Sequence, residues 1–569
     1  MIIVAFIKQY WNILQNDTNE RILLLILVLS LSLRMWGIWN IEQTDEYNEV
    51  FEALKIDSGY LNYERWNKKV LVYILAVEYA LYFGAGWLTG IFVSISDFAS
   101  KIVIDMTPLF IIGRATSAIF GTAIVFVTYL IGKNLFDKKA GLVAASFLCF
   151  NLVHVEHSHL VLVDITMTLL LMLSFYFATC IMYEGKYRSY ILAGIFAGLA
   201  IVAKIPSIFI LISVGVAHVL YVRQYYVNKN NIVYNKSLIY LLFGLISGAI
   251  LGNPAVLFAL PKYLDWLKLL FGAYQGTADS VYYWTPLNGF IFYFISLIRN
   301  MGLPLLGLTI IGLLYFTVKS RKEILLLLSF VLPFFIFMAY SKWVLADRYM
   351  IPAFPFLSII AGAVLLKIQE QFRIGRFLII IMIGALLIIP IKNVVLFEIS
   401  LLHQNTRYLA KDWIEYNIPS GSKILIDAGR TINTQSPPLI NTKENIIAII
   451  DKIENLQEGK TYDDSRIVDS KSAIYYKYLL ENMPAITYDL NSTELGTNIK
   501  SVGYYRENGY NYIITSSDIT WRIDNRKWAE TFPESAVFYK SLSNEYIEIK
   551  KFEASMTRRG PTITIYKVS

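Results

Sequence analysis

The chain has 569 residues, of which 56% are hydrophobic and 17% charged, with a net charge of +8 and a mean hydropathy of +0.50. Soluble globular chains carry about 25% charged residues, so an ordinary soluble enzyme is excluded and a polytopic membrane protein is expected. In such a chain the surplus of lysine and arginine reports on loop topology rather than on nucleic acid. Cys149 and Cys180 are the only cysteines and both lie in apolar runs, so no disulfide can staple the polar C-terminal part.

The first apolar run, 22–38, has no small-residue cleavage site after it and reads as an uncleaved signal anchor. Thr44, Asp45 and Glu46 follow at once, with Glu42, Glu49 and Glu52 around them. Residues 70–96 are apolar enough to span, yet they carry Glu78 and a glycine-rich centre, GAGWLTG. Further spans are expected at 109–132, 139–152, 161–182, 189–203, 206–224, 236–257, 300–318, 323–340, 349–367 and 376–396. Several are shorter than the roughly 20 residues a spanning helix needs, which predicts helices that stop below the surface under a cavity. From residue 400 the chain turns polar. There NTRYLAKDWIEYNIP reads as a helix, and SKILIDA, YNYIITSS and TITIYKV read as strands.

The basic loops decide the topology. They are 132–141, 183–190, 223–231, 319–323 and 367–376. If 70–96 does not cross, all of them share the side of the N-terminus, which carries Lys8 and Arg21. The positive-inside rule selects that arrangement. The expected fold is therefore a polytopic α-helical membrane domain over 1–399, with about 11 transmembrane helices and a juxtamembrane or re-entrant element in the first extracytoplasmic loop. An extracytoplasmic α/β domain over 400–569 follows it. The N-terminus is expected in the cytoplasm, in a multi-pass protein of the cell membrane.

This topology gathers chemistry on one face. Asp45 and Glu46 stand beside NLVHVEHSHLVLVD, which holds His154, Glu156, His157, His159 and Asp164. Lys204 ends a span in GLAIVAKIPS, and SKWVLADRYMIPAFPF brings Lys342, Asp347, Arg348 and Tyr349. The stretch GNPAVLFALPKYLDW and the loop through YYWTP complete the face. Each group has an ordinary reading: surface acids, interfacial histidines, a snorkelling lysine, a headgroup-anchoring arginine. Their convergence favours group transfer at a lipid phosphate. An aspartate can take the proton of an attacking hydroxyl, and lysine and arginine can offset charge developing on a phosphate leaving group. A second class, a transporter or flippase for a lipid-linked sugar, would place ionisable residues and broken helices at mid-membrane, often in paired repeats. No repeat is visible and the charges gather at one face. A third reading has Asp45, the histidines and Asp164 holding a divalent metal, although their spacing is not a recognised metal motif.

The chain resembles the C-type integral-membrane glycosyltransferases, in the group of protein O-mannosyltransferases and the lipid A aminoarabinose transferase. The matching stretches are the acidic pair after the first span, GRATSAIFGTAIVFVTYLIGKNLFDKKAGLVAA, NLVHVEHSHLVLVDITMTLLL, GLAIVAKIPS and DRYMIPAFPFLSIIAG, in the family's order. The resemblance implies a sugar taken from a polyprenyl-phosphate donor, a hydroxyl-bearing acceptor and an extracytoplasmic or lumenal active face. It implies that Asp45 is the catalytic base with Glu46 beside it, and that Asp164, Lys204 and Arg114 occupy the family's acid, lysine and arginine positions. Where many relatives have Tyr-Pro-Pro or His-Pro-Pro, this chain reads YERWNKKVLVY. The expected site is thus Asp45, Glu46 and Asp164 for catalysis and Lys204, Arg348, Tyr349 and Arg114 for the donor phosphate. His154, Glu156, His157 and His159 are expected to line the cavity.

Overall fold

A computed structural model of the chain describes residues 17–568 except 42–43, 58–68, 226–235, 276–287, 320, 342–344, 429–434, 458–466 and 525. Lys342, the YYWTP loop and most of YERWNKK lie outside the described residues.

The membrane part begins with α1 (Thr18–Met35), α2 (Thr44–Asp57), α3 (Lys69–Leu88), α4 (Ile95–Ile104) and α5 (Thr107–Leu135). It continues with α6 (Lys138–Cys149), α7 (Leu152–Ser158), α8 (Val163–Glu184), α9 (Tyr187–Ala203), α10 (Ile210–Tyr225), α11 (Ser237–Gly252) and α12 (Leu260–Gln275). It closes with α13 (Gly289–Met301), α14 (Leu303–Val318), α15 (Lys322–Tyr340), α16 (Phe354–Gln371) and α17 (Arg376–Leu402). By length and composition, seven of the described helices could cross a membrane, or nine if each of two bent pairs is one span. The sequence reading gave about 11. The difference has physical causes. α1 carries Glu20, Arg21 and Arg34 within 18 residues. The helices α9 and α11 are short, at 17 and 16 residues.

α3, read as a juxtamembrane or re-entrant element, is long and apolar enough to cross. Its middle, however, packs on the first turns of α5. Leu75 sits against Gly113, the Tyr79 hydroxyl donates to the Leu109 carbonyl at 3.2 Å, and Thr116 donates to Glu78 at 2.5 Å.

Two helix breaks shape the site. The α6–α7 pair bends by 68° and the α13–α14 pair by 112°. Asn151 caps the first break by accepting from the His154 amide at 3.2 Å, and Gly302 takes φ +75° at the second. Backbone freed inside a membrane must find partners within the protein. Here the breaks serve each other: Asn300 Oδ1 accepts from the Val153 amide at 2.9 Å, and Asn151 Nδ2 donates to the Asn300 carbonyl at 3.4 Å. α9 and α11 pack by glycines, Gly194 and Gly198 against the backbone at Gly244 and Gly248, with no space for a Cβ. This is the small-residue contact that brings membrane helices close.

Beyond α17 come α18 (Thr406–Asn417), β1 (Lys423–Ile426), α19 (Lys443–Gln457), α20 (Ile467–Glu481), β2 (Asp489–Ser492) and α21 (Val502–Glu507). Then follow β3 (Tyr512–Ser516), α22 (Pro533–Glu545), β4 (Ile547–Phe552) and β5 (Ile563–Lys567). The sheet order is β2-β1-β3-β5-β4, with β1, β2 and β3 parallel and β4 and β5 antiparallel. Side chains alternate between faces along a strand. Ile424, Ile426 and Ile514 pack toward Ile414 of α18 and Ile418 just after it, while Leu425 and Ile513 pack toward Phe538 and Leu542 of α22. The carboxyl edge of the parallel strands approaches the membrane part. β3 ends beside the start of β5, whose preceding loop places Arg559 3.4 Å from Glu156 and over the Phe397 ring.

Candidate active site

α2 begins directly beyond the first run, so Asp45 and Glu46 occupy its first turn, where the helix dipole favours acids. Adjacent helical positions point about 100° apart, and the two carboxylates have different environments. Glu46 is fully buried. Its two oxygens take Nε and Nη2 of Arg114 at 2.9 Å each, and Oε1 also accepts from the Val161 amide at 2.9 Å. Arg114 spends a further donor on the Ile38 carbonyl at 2.9 Å. Arg114, expected at the donor phosphate, is therefore placed in a buried clamp that ties α2, α5 and the segment before α8 together. Removing one partner of such a pair costs about 3–5 kcal/mol.

Asp45 keeps 43% of its side chain exposed and meets Arg348 at 2.8 Å. Arg348 is the more buried partner, with 22% of its side chain exposed, so solvent reaches the pair from the Asp45 side. Arg348 and Tyr349 lie on a 3-10 turn, Asp347–Ala353, which is anchored by Arg299 to Asp347 at 2.5 Å. Lys204 stands where α9 stops, in an extended conformation before Ile205 and Pro206. Pro206 has no N–H to continue the α-helical ladder and its ring would crowd the preceding turn, so the helix ends here and Lys204 turns extended. Lys204 Nζ is 2.5 Å from Asp164, in the first turn of α8, and 4.4 Å from the centre of the Tyr349 ring. Arg348 lies 5.6 Å from the same ring. Tyr349 thus lies close to two cations, each paired with a carboxylate.

The histidines divide. His157 faces Glu156, Asp164, Arg348 and Lys204, and its Nδ1 has no partner among the described residues. His154 is turned away, with Nδ1 2.9 Å from Nη2 of the buried Arg34. His159 lies between the carbonyls of Val155 and Trp36, each at 2.9 Å. Both were expected to line the cavity, and both are instead held in helix packing, because each ring nitrogen bonded here is committed to α1, its exit or α7. Glu156 faces Arg559 of the C-terminal unit. Asp45, the histidines and Asp164 are not brought together as a ligand set: among the described residues no group of three or more His, Cys, Asp or Glu side chains could hold a metal ion.

Some polar residues were not singled out from the sequence. Arg34 sits in α1, completely buried, with Ser30 and His154 as partners. An arginine inside an apolar run signals a buried partner, and that signal was legible. Asn300 is buried at the break it pins. Tyr274 and Tyr293, both near Tyr349, have no sequence signature.

Residues 83–247 match the family model of dolichyl-phosphate-mannose-protein mannosyltransferases. That range contains Arg114, all three clustered histidines, Asp164 and Lys204. Among curated proteins no sequence matches the chain. Similar solved structures include the Archaeoglobus fulgidus oligosaccharyltransferase tethered with an acceptor peptide, at 12% identity and TM-score 0.49, covering 98% of this chain and 75% of that one. ArnT from Cupriavidus metallidurans bound to undecaprenyl phosphate gives 12% identity and TM-score 0.46, covering 98% of each chain. The mycobacterial arabinofuranosyltransferase AftD gives 11% identity and TM-score 0.44, covering 96% of this chain and 41% of that one.

Proposed function

We propose that the chain is a multi-pass membrane glycosyltransferase that moves a sugar from a polyprenyl-phosphate donor to a hydroxyl of an extracytoplasmic acceptor, with Asp45 as general base. The observation that carries this reading is the pairing of Asp45 with Arg348 and of Asp164 with Lys204, with both cations close to the ring of Tyr349. The matched mannosyltransferase family supports sugar transfer from such a donor. In this reading the membrane domain covers 1–399, α3 lies at the membrane surface, and the α/β domain over 400–569 stands outside on the side of the active site.

The donor phosphate is anionic, so it competes with the carboxylates for Lys204 and Arg348. When it draws Arg348 away, Asp45 is left free to accept a proton. The acceptor hydroxyl gives that proton to Asp45 while its oxygen forms a bond to the anomeric carbon. The bond from that carbon to the phosphate oxygen breaks, and polyprenyl phosphate leaves with the electron pair. Lys204 and Arg348 offset the charge that gathers on it. Asp164 holds Lys204 in place, and Glu46 fixes the helix that presents Asp45.

The test is incubation of the purified protein with labelled polyprenyl-phosphate sugars and a membrane extract. Transfer of label to an extract component is expected, at a rate lower by a factor on the order of 10²–10⁴ in the Asp45→Asn protein. Release of unmodified labelled donor across a vesicle membrane, without transfer, would support the flippase reading instead.

A further inference from the structure

In the C-terminal unit, one sheet face changes character beneath α22. Over β1 and the middle of β3 it is apolar, built from Leu425 and Ile513. Two residues further along β3 stands Thr515, paired across the ladder with Thr564 of β5. These two residues are 6% and 7% exposed. Both line a cavity of about 320 Å³ between the sheet and α22. Ser517 and Thr562 extend the hydroxyl row toward the carboxyl edge of β3, where their backbones bond to one another. The rings of Tyr539 and Tyr566 and the side chains of Ile523 and Leu542 form the remaining wall, with Glu548 and Lys551 at the mouth.

Two hydroxyls side by side on a cavity wall match a ligand that both donates and accepts. Hydroxyls do both. Glu548 and Lys551 are exposed, Lys551 is held by Glu553 at 2.6 Å, and the buried part of the lining carries no charged side chain, which argues against an anion or a cation. The volume stands at the small end of the range for ligand pockets, about 300–1,000 Å³, so one ring-sized molecule fits. Apolar and aromatic walls suit the C–H face of such a ring. We propose that this cavity binds a neutral saccharide unit of the acceptor glycan. The polar, uncharged, ring-sized character comes from the lining residues; the choice of a sugar of the acceptor rests on the glycosyl-transfer reading above. The pocket's Ser517–Thr562 end belongs to the same edge as Arg559, whose partner Glu156 precedes His157 of the charged cluster.

Saturation-transfer NMR on the full-length protein in nanodiscs tests the proposal, with methyl glycosides of mannose, glucose, galactose and N-acetylglucosamine as probes. At least one glycoside should receive saturation. Thr515→Val with Thr564→Val keeps the shape, removes both hydroxyls and should weaken that binding on the order of tenfold. Thr515→Ser with Thr564→Ser restores the hydroxyls and should recover it. Lys204→Ala should leave it unchanged, which separates this pocket from the charged cluster. Absence of saturation for every probe, or equal saturation with and without the hydroxyls, would overturn the proposal. Glycoside binding without sugar transfer would count against the proposed reaction alone, and transfer without glycoside binding against the pocket alone.

Discussion

Glu46 and Arg114 form a two-pronged ion pair, 2.9 Å at each contact and shielded from solvent, 68 positions apart in the chain. Its neighbour Asp45 is left half-exposed beside Arg348. Replacing Arg114 by alanine strands the Glu46 charge and should cost about 3–5 kcal/mol. Thermal unfolding in detergent checks this. A Glu46→Gln, Arg114→Gln double variant should recover part of the loss, because neither partner is then a lone buried charge.

Asp45→Asn preserves shape but cannot take a proton. Turnover should fall by a factor on the order of 10²–10⁴, with donor binding nearly unchanged. Single-turnover transfer with labelled donor separates the two quantities. Near-normal transfer by this variant, with loss in Asp164→Asn, would move the base to Asp164.

Lys204→Ala should weaken use of the donor more than affinity for the acceptor. A charge-assisted hydrogen bond contributes about 1.5–3 kcal/mol, roughly 10- to 150-fold in donor efficiency. Arg348→Ala should act alike, and it also frees Asp45 from its partner. Unaltered donor kinetics in both would leave them as anchors at the membrane surface.

A cysteine at Ser543, on the exposed side of α22, should react with an impermeant thiol reagent added outside intact cells. A cysteine at Lys139, near the start of α6, should not. The reverse pattern would invert the orientation and separate the charged cluster from an external acceptor.

Asp427, at the carboxyl end of β1, is buried and accepts from Thr493 at 2.9 Å, Tyr539 at 2.6 Å and the Ser516 amide at 3.0 Å. Burial outweighs these bonds and the nearby Arg522, and pushes its carboxyl from 3.8 up to about 6. The folded state therefore holds the proton more tightly than the unfolded chain. The stabilisation is complete below about pH 3.8 and is lost as pH rises through about 6. The rise from 3.8 to about 6 corresponds to about 3 kcal/mol. Hydrogen exchange at β1 and β3, corrected for intrinsic rates, should slow as pH falls from 7 to 4 relative to Asp427→Asn. Parallel curves for the two proteins would contradict it.

The sequence carried the membrane character of the fold better than its geometry. Composition is a sum over many residues, and the apolar helices of the structure agree with it. Alternation in YNYIITSS is local, and β3 lies there as Tyr512–Ser516. Side-chain direction is not local. Nothing in Thr44-Asp45-Glu46 tells which acid will turn inward, because the partner that decides it, Arg114, belongs to another helix. The same holds for HVEHSH, where helix α7 sends His157 toward Lys204 and His154 toward Arg34. The breaks at Asn151 and Gly302 fall near the limits of the spans expected over 139–152 and 300–318, but the contact that joins them, Asn151 with Asn300, links distant parts of the chain and is not legible locally.

The glycine seam between α9 and α11 has an evolutionary corollary. A methyl group at Gly194 or Gly248 meets main chain, which cannot rotate out of the way as a side chain can. The two helices would have to part, and α9 delivers Lys204 at its end. Mutational tolerance should therefore be lowest at positions that bear no functional group, buried among lipid-facing turns, and a loss-of-function variant found there would be a defect of distance rather than of chemistry.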